Sequence, residues 1–209
     1  MSTEWDGSAL QTVVDLLDTI HRPKDRAYRD AWRKRGELLS IFANLARKVD
    51  RLEIAMEERE PSEVESIEDS AVDLAIYAGK YLTWLAELHP AEFGSIPPLL
   101  PADECSAVRG PESLRAVLRR LPLWERDSGH HPPATAAESW VRIRIAFQAL
   151  EAGFVAQVGN HLTEVLDPSR KIALAWDLTD AGTWLVVRLG EVNPGALERL
   201  GANLTGGPT

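Results

Sequence analysis

From Leu38 to Met56 the apolar residues Leu38, Phe42, Leu45, Val49, Leu52 and Met56 recur at steps of three and four. That spacing draws one continuous stripe along an α-helix and scatters over both faces of a strand. A chain with such a stripe has to bury it against a second layer, and the other long segments offer the same kind of surface. In "SALQTVVDLLDTIHR", Leu10, Val13, Val14, Leu16, Leu17 and Ile20 make an amphipathic helix. Downstream of a turn at Pro61, Ile67, Leu74, Tyr81 and Leu85 mark another. The stretch "AAESWVRIRIAFQALEAGFVAQVGNHLTEVL" is apolar around most of its circumference, which fits a central bundle position or a subunit interface. The expected fold is mainly α, a helical bundle.

Punctuation divides the chain further. "RPKD" ends the first helix, and a second begins near Asp25 with a break at Gly36. Ser62 and Glu65 stand in capping-box relation, starting a helix that runs to about His89. Clustered prolines between Pro90 and Pro101 cannot continue it, which makes this segment the best internal boundary. "PESLRAVLRRL" is a short helix and "LPLWERDSGHHPPAT" a loop. In "KIALAWDLTDAGTWLVVRL", Ile172, Leu174 and Trp176 alternate, "TDAG" supplies a turn, and Trp184, Val186 and Arg188 alternate again, so a small C-terminal β-hairpin is expected. "NPGALERLGANLTGGPT" closes with a short helix. The division is therefore an all-α domain over residues 1–89, a connector over 90–110, and a C-terminal helix and hairpin region over 111–209 packed on the first part.

Composition narrows the function classes. A length of 209 residues suits one buried core, or one domain with an appendage. The net charge of -9 argues against general binding to a nucleic-acid backbone, which needs a surplus of Lys and Arg on one face. Cys105 is the only cysteine, so neither an intramolecular disulfide nor a multi-cysteine zinc site can form. No basic-then-apolar leader and no run of roughly 18 apolar residues is present, so a soluble cytoplasmic protein without membrane contact is expected.

The chemistry-bearing stretch is "SIEDSAVDLAIYA", where Asp69 and Asp73 stack one turn apart beside the apolar stripe, with Glu65 extending the ladder. Across a short connection the preceding helix presents Asn44, Lys48 and Arg51 on one strip. Two arrangements satisfy these acids. Lys48 and Arg51 pair with Asp69 and Asp73, or the carboxylates hold Mg²⁺ while the cations meet phosphate oxygens.

The ordered set "KDRAYRDAWRKRG", "FANLARKVDRLE" and "ESIEDSAVDLAIYA" resembles phage and bacterial nucleotide-modification-associated proteins, allied to the all-α, MazG-like nucleotide pyrophosphohydrolases. The resemblance covers roughly residues 24–88. It implies a helical, often oligomeric protein that uses acid-bound Mg²⁺, or Mn²⁺ in its place, to cut a nucleoside triphosphate or related phosphoanhydride with release of pyrophosphate. Carried over, Asp69 and Asp73 become the metal ligands, Glu65 and Glu68 the catalytic carboxylates, and Asn44, Lys48, Arg51, Trp32 and Tyr77 the substrate contacts. The family's first acidic pair has no plain copy here; Asp50 and Glu53 come nearest, and Asp50 falls on the solvent side of its helix. The alternative is a catalytically degenerate helical module that binds a nucleotide or a protein partner and serves assembly or regulation, the partner meeting the C-terminal half. A homo-oligomer, dimer or larger, is expected in either case.

Other polar groupings carry less. Adjacent His130 and His131 diverge in a proline-bounded loop, and His161 with Glu164 lacks a third ligand nearby. The acids of "DLTDAG" are ordinary turn residues. No nucleophilic triad, glycine-rich phosphate loop or paired-cysteine motif occurs.

Overall fold

The computed structural model describes residues 7–57, 66–95, 112–128, 131–158 and 166–205. These are almost wholly helical: α1 Ser8–Tyr28, a 3-10 turn Arg29–Arg33, a π-helical turn Glu37–Phe42, α2 Ala43–Glu57, α3 Ile67–Leu88, α4 Pro90–Ser95, α5 Ser113–Leu118, α6 Leu121–Ser128, α7 Ala136–Val158, α8 Pro168–Val192 and α9 Pro194–Thr205. Helices α3 and α8 cross at the centre, α7 packs on α8, and α2 packs on α3.

The expected C-terminal hairpin is absent, and no strand occurs among the described residues. Residues 168–192 form the long helix α8 instead. Its start is written in the sequence: Asp167 accepts the amide hydrogen of Arg170 at 2.9 Å as N-cap, and Pro168 occupies the first turn, where a missing N–H costs nothing. The apparent alternation is a by-product of burial. Ile172, Leu174, Trp176, Trp184 and Val186 are buried, but so are Ala175, Leu178, Ala181, Leu185 and Val187 between them. A helix enclosed on nearly all sides has no polar face, and its apolar residues then show no period. Within it "TDAG" is not a turn: Thr179 and Thr183 each donate a hydroxyl hydrogen bond, at 2.7 Å, to the carbonyl one turn back.

The α3–α8 crossing is close because its residues are small. A Cβ at Gly182 would stand 3.3 Å from the Cα of Ala75; one at Gly79 would run into the Leu114 side chain of α5 and lie 3.7 Å from the methyl of Thr179. Around the crossing one hydrophobic cluster draws on α1, α2, α3, α5, α7 and α8. Fully buried leucines such as Leu10, Leu17, Leu45, Leu52, Leu74 and Leu118 each contribute about 2 kcal/mol to it.

Three further boundaries differ from expectation. Helix α1 continues through Pro23 to Tyr28 rather than ending at "RPKD", giving up one backbone hydrogen bond at the proline. Part of the expected loop after Leu121 is the helix α6, whose Trp124 meets the Trp176 ring edge-on at 5.5 Å between centroids. The first six residues of the Pro-rich segment form α4, with Phe93 buried. Helix α3 starts at a cap on Ser66; the expected Ser62 and Glu65 capping box lies outside the described residues.

Candidate functional site

The sequence breaks helical continuity just before α2 and so bends the chain around one end of α3. Gly36 has φ 82, a left-handed value that glycine takes without a Cβ clash, and the π-helical turn follows directly. Glu37, at the start of that turn, accepts hydrogen bonds from the Tyr81 hydroxyl of α3 and, at 2.9 Å, from Lys171 of α8. Burial and the adjacent Glu37 carboxylate push the Tyr81 hydroxyl far above its usual range, so it remains a proton donor. With the turn held there, Asn44 donates to the Ser40 carbonyl at 2.7 Å and one edge of α2 faces α3.

A cleft of about 350 Å³ opens beside this turn. Helix α1 contributes His21 and Lys24, the 3-10 turn Trp32, α2 Asn44, and α3 Asp73, Ile76, Tyr77 and Lys80. On α3, Asp73, Tyr77 and Lys80 share one face by their spacing of four and three.

Asp73 is the electrostatic centre. One carboxylate oxygen lies 2.6 Å from the buried Lys48 ammonium and the other 3.0 Å from Lys24. Burial alone would raise its pKa, but the Lys48 hydrogen bond and the Lys24 and Lys48 charges outweigh it and hold the carboxyl below the usual carboxylate range. Lys80 pairs with Asp25 at 3.2 Å and stands 5.3 Å from the centre of the Trp32 ring, a cation–π contact. His21 is buried, and its Nδ1 has no hydrogen-bond partner among the described residues. Burial and the nearby Lys80 charge lower its pKa to about 4, so the ring is neutral at pH 7. Lys24, Lys48 and Lys80 thus gather around Asp25 and Asp73 in a chain whose net charge is -9.

The residues expected at a site separate. Asn44, Trp32 and Tyr77 line the cleft, and Lys48 is buried against the lining residue Asp73. Arg51 is exposed. Asp69 is occupied at the N-terminus of α3: its amide donates to the Ser66 hydroxyl at 3.1 Å and its carboxylate accepts from that hydroxyl. Glu68 is buried away from the cleft and accepts from Asn193, the C-cap of α8, at 3.1 Å. Asp69 and Asp73 thus serve different neighbours and form no joint ladder. Asp50 is exposed and Glu53 half-buried. Glu65, His130, His161 and Glu164 lie outside the described residues.

No protein-family model, curated protein or solved structure matches the chain.

Its chemistry therefore has to be read from the donors themselves. Asp73 is the only carboxylate among the described residues that line the cleft, and no group of three His, Cys, Asp or Glu side chains able to hold a metal ion occurs among the described residues. No helix among them is long and apolar enough to cross a membrane. His21, Lys24 and Lys80 are the cleft residues that the sequence reading did not single out. A signal for Lys80 was present, since it follows Asp73 and Tyr77 on the same helical face. Ending α1 at Pro23 separated His21 from Lys24, which are one turn apart.

Proposed function

We propose that the cleft binds a nucleotide, its phosphates on Lys24 and Lys80 and its base against Trp32 and Tyr77. The observation that carries this reading is that two lysines, Lys24 and Lys80, and two aromatic side chains line one cleft in a chain that is acidic overall. Phosphate oxygens are strong acceptors for lysine ammonium groups, and aromatic rings stack on any base. Lys24 is suited to an exchange of partners because its side chain is 48% exposed, and Asp73 keeps Lys48 when Lys24 turns to a phosphate. Asn44 also lines the cleft, its amide engaged with the Ser40 carbonyl and with Arg47. The resemblance of residues 24–88 to nucleotide-handling proteins points to the same ligand class.

Binding without turnover is the form the geometry supports. Mg²⁺ takes hard oxygen ligands, commonly one or two carboxylates together with substrate phosphates. Here Asp69 is spent on a helix cap, Glu68 on Asn193, and Asp73 on two lysines, so the described donors do not make a Mg²⁺ site of their own. Hydrolysis of a nucleoside triphosphate is the second reading, favoured by the single fact that Asp73 stays ionised beside the phosphate-facing lysines.

Calorimetric titration with ribo- and deoxynucleoside triphosphates, in EDTA and then in Mg²⁺, tests both. Saturable binding in EDTA, lost in Lys24→Ala/Lys80→Ala and unaccompanied by pyrophosphate release in Mg²⁺, is expected. Pyrophosphate release that requires Mg²⁺ and disappears in Asp73→Asn would establish the hydrolase instead. No binding of any nucleotide in either buffer rejects both.

A further inference from the structure

We infer that α7 carries a self-complementary face that pairs two copies of this chain side by side and antiparallel. Its inner face is in the core, with Ile143, Phe147, Leu150 and Phe154 buried. The opposite strip is mostly apolar, with one polar residue, Gln148, at its centre. Val141 is 53% exposed, Ile145 64% and Val155 66%, and exposed Gln148 and Ala152 fill the positions between them. The steps of four, three, four and three from Val141 to Val155 keep these five residues on one line, roughly 21 Å long at the rise of an α-helix. Exposed apolar residues scattered singly need no explanation, but a line of them along one helix marks a contact surface.

The pattern names the occupant. It is nearly the same from either end about Gln148: Val141 and Val155 lie seven residues to each side, with Ile145 three before it and Ala152 four after it. Two such helices related by a two-fold axis at Gln148 bring Val141 of one copy to Val155 of the other. Charge fixes the direction. Arg144 and Glu151 flank the strip on the same side and are both exposed. A two-fold axis perpendicular to the helices keeps that side on the same side in both copies, so Arg144 of each copy falls beside Glu151 of the other. Parallel pairing would turn these flanks away from each other. One isologous contact therefore matches apolar strip to apolar strip and makes two charge pairs.

This surface is independent of the cleft, which is built from α1, α2, α3 and the 3-10 turn, so failure of nucleotide binding would leave it untouched. Sedimentation equilibrium on the full chain is the primary test, with a dimer expected. Ile145→Glu should yield a folded monomer, its helical content checked by circular dichroism. Arg144→Glu and Glu151→Arg should each weaken the dimer about tenfold, and the double exchange should restore it. In a Cys105→Ser background, Gln148→Cys should cross-link to itself under mild oxidation. Val155→Cys should stay single until mixed with Val141→Cys. A monomeric wild-type chain overturns the inference, as does a dimer that survives Ile145→Glu. A dimer whose double exchange fails to recover what the single exchanges lose overturns the antiparallel register.

Discussion

The two faces of α3 follow opposite plans. Toward α8 the helix offers Ala75 and Gly79, so that backbones approach closely and dispersion acts over many atoms. Toward the cleft it offers Asp73, Tyr77 and Lys80, whose charges need Lys48, Lys24 and Asp25 to be tolerable where they stand. The first face needs nothing but shape. The second holds ions that a well-packed apolar interface would dispense with at no loss of stability, and on the proposed reading a bound nucleotide accounts for them. Substitutions on the first face should therefore change stability alone, and those on the second should divide between stability and ligand binding according to depth.

The crossing should be the most sensitive place. Gly182→Leu drives a side chain against the Ala75 backbone and is expected to cost about 3 kcal/mol by overpacking, read as a lower midpoint in urea unfolding. An unchanged midpoint would mean that α3 and α8 are not in contact at this point. On the cleft face, Asp73→Ala takes from the buried Lys48 the carboxylate 2.6 Å away and should cost about 2 kcal/mol, less than a fully buried pair because Asp73 reaches solvent. If Lys48→Met added to Asp73→Ala recovers most of that loss, stranded charge is the cause rather than lost packing.

How far the sequence discloses this arrangement depends on what each residue is compared with. The Leu45 to Met56 part of the expected stripe is legible because α2 has a polar back, so period and burial coincide there, whereas Leu38 lies exposed in the π-helical turn. Helix α8 is not, since enclosure on all sides erases the period and leaves Asp167 and Pro168 as its only local signal. The relation of Lys48 to Asp73 is legible from two helix faces and a short connection. Asp69 misled for a nearer reason: its distance from Asp73 fits a ladder, but its distance from Ser66 fits a cap, and the local hydrogen bonds are the ones that form. Lys24 was hidden by the assumption that a proline ends a helix, when packing of α1 compensates for the one bond lost.

Acid should separate the two faces without any mutation. Burial and the Lys80 charge lower His21 from 6.5 to about 4, so between these values the unfolded chain binds the proton and the folded chain does not. The stabilisation is complete above pH 6.5 and is lost as pH falls toward 4, in all about 3 kcal/mol. Asp73, held below the usual carboxylate range, adds its own loss at still lower pH, as its carboxyl is protonated. His21→Gln should flatten the upper limb of this profile and leave the lower one, as followed by urea midpoints across the range. The same slope in wild type and variant would show that His21 is not the titrating group.

The smallest stability effect and the clearest functional one should come from the same residue. Lys24 is half-exposed and reaches Asp73 from the rim, and Asp73 retains Lys48 when Lys24 is gone. A solvent-exposed ion pair contributes little, so Lys24→Ala is expected to shift unfolding by no more than about 0.5 kcal/mol. If a phosphate is the partner that Lys24 awaits, the same substitution should weaken nucleotide affinity about tenfold, because a charge-assisted hydrogen bond in a partly desolvated cleft is stronger than an exposed pair. Lys24→Arg keeps the charge and should recover most of that affinity. Equal loss of stability and of affinity would place Lys24 among the structural ions of α3. Loss of affinity alone would make the rim of the cleft the part of the second face that exists for its ligand.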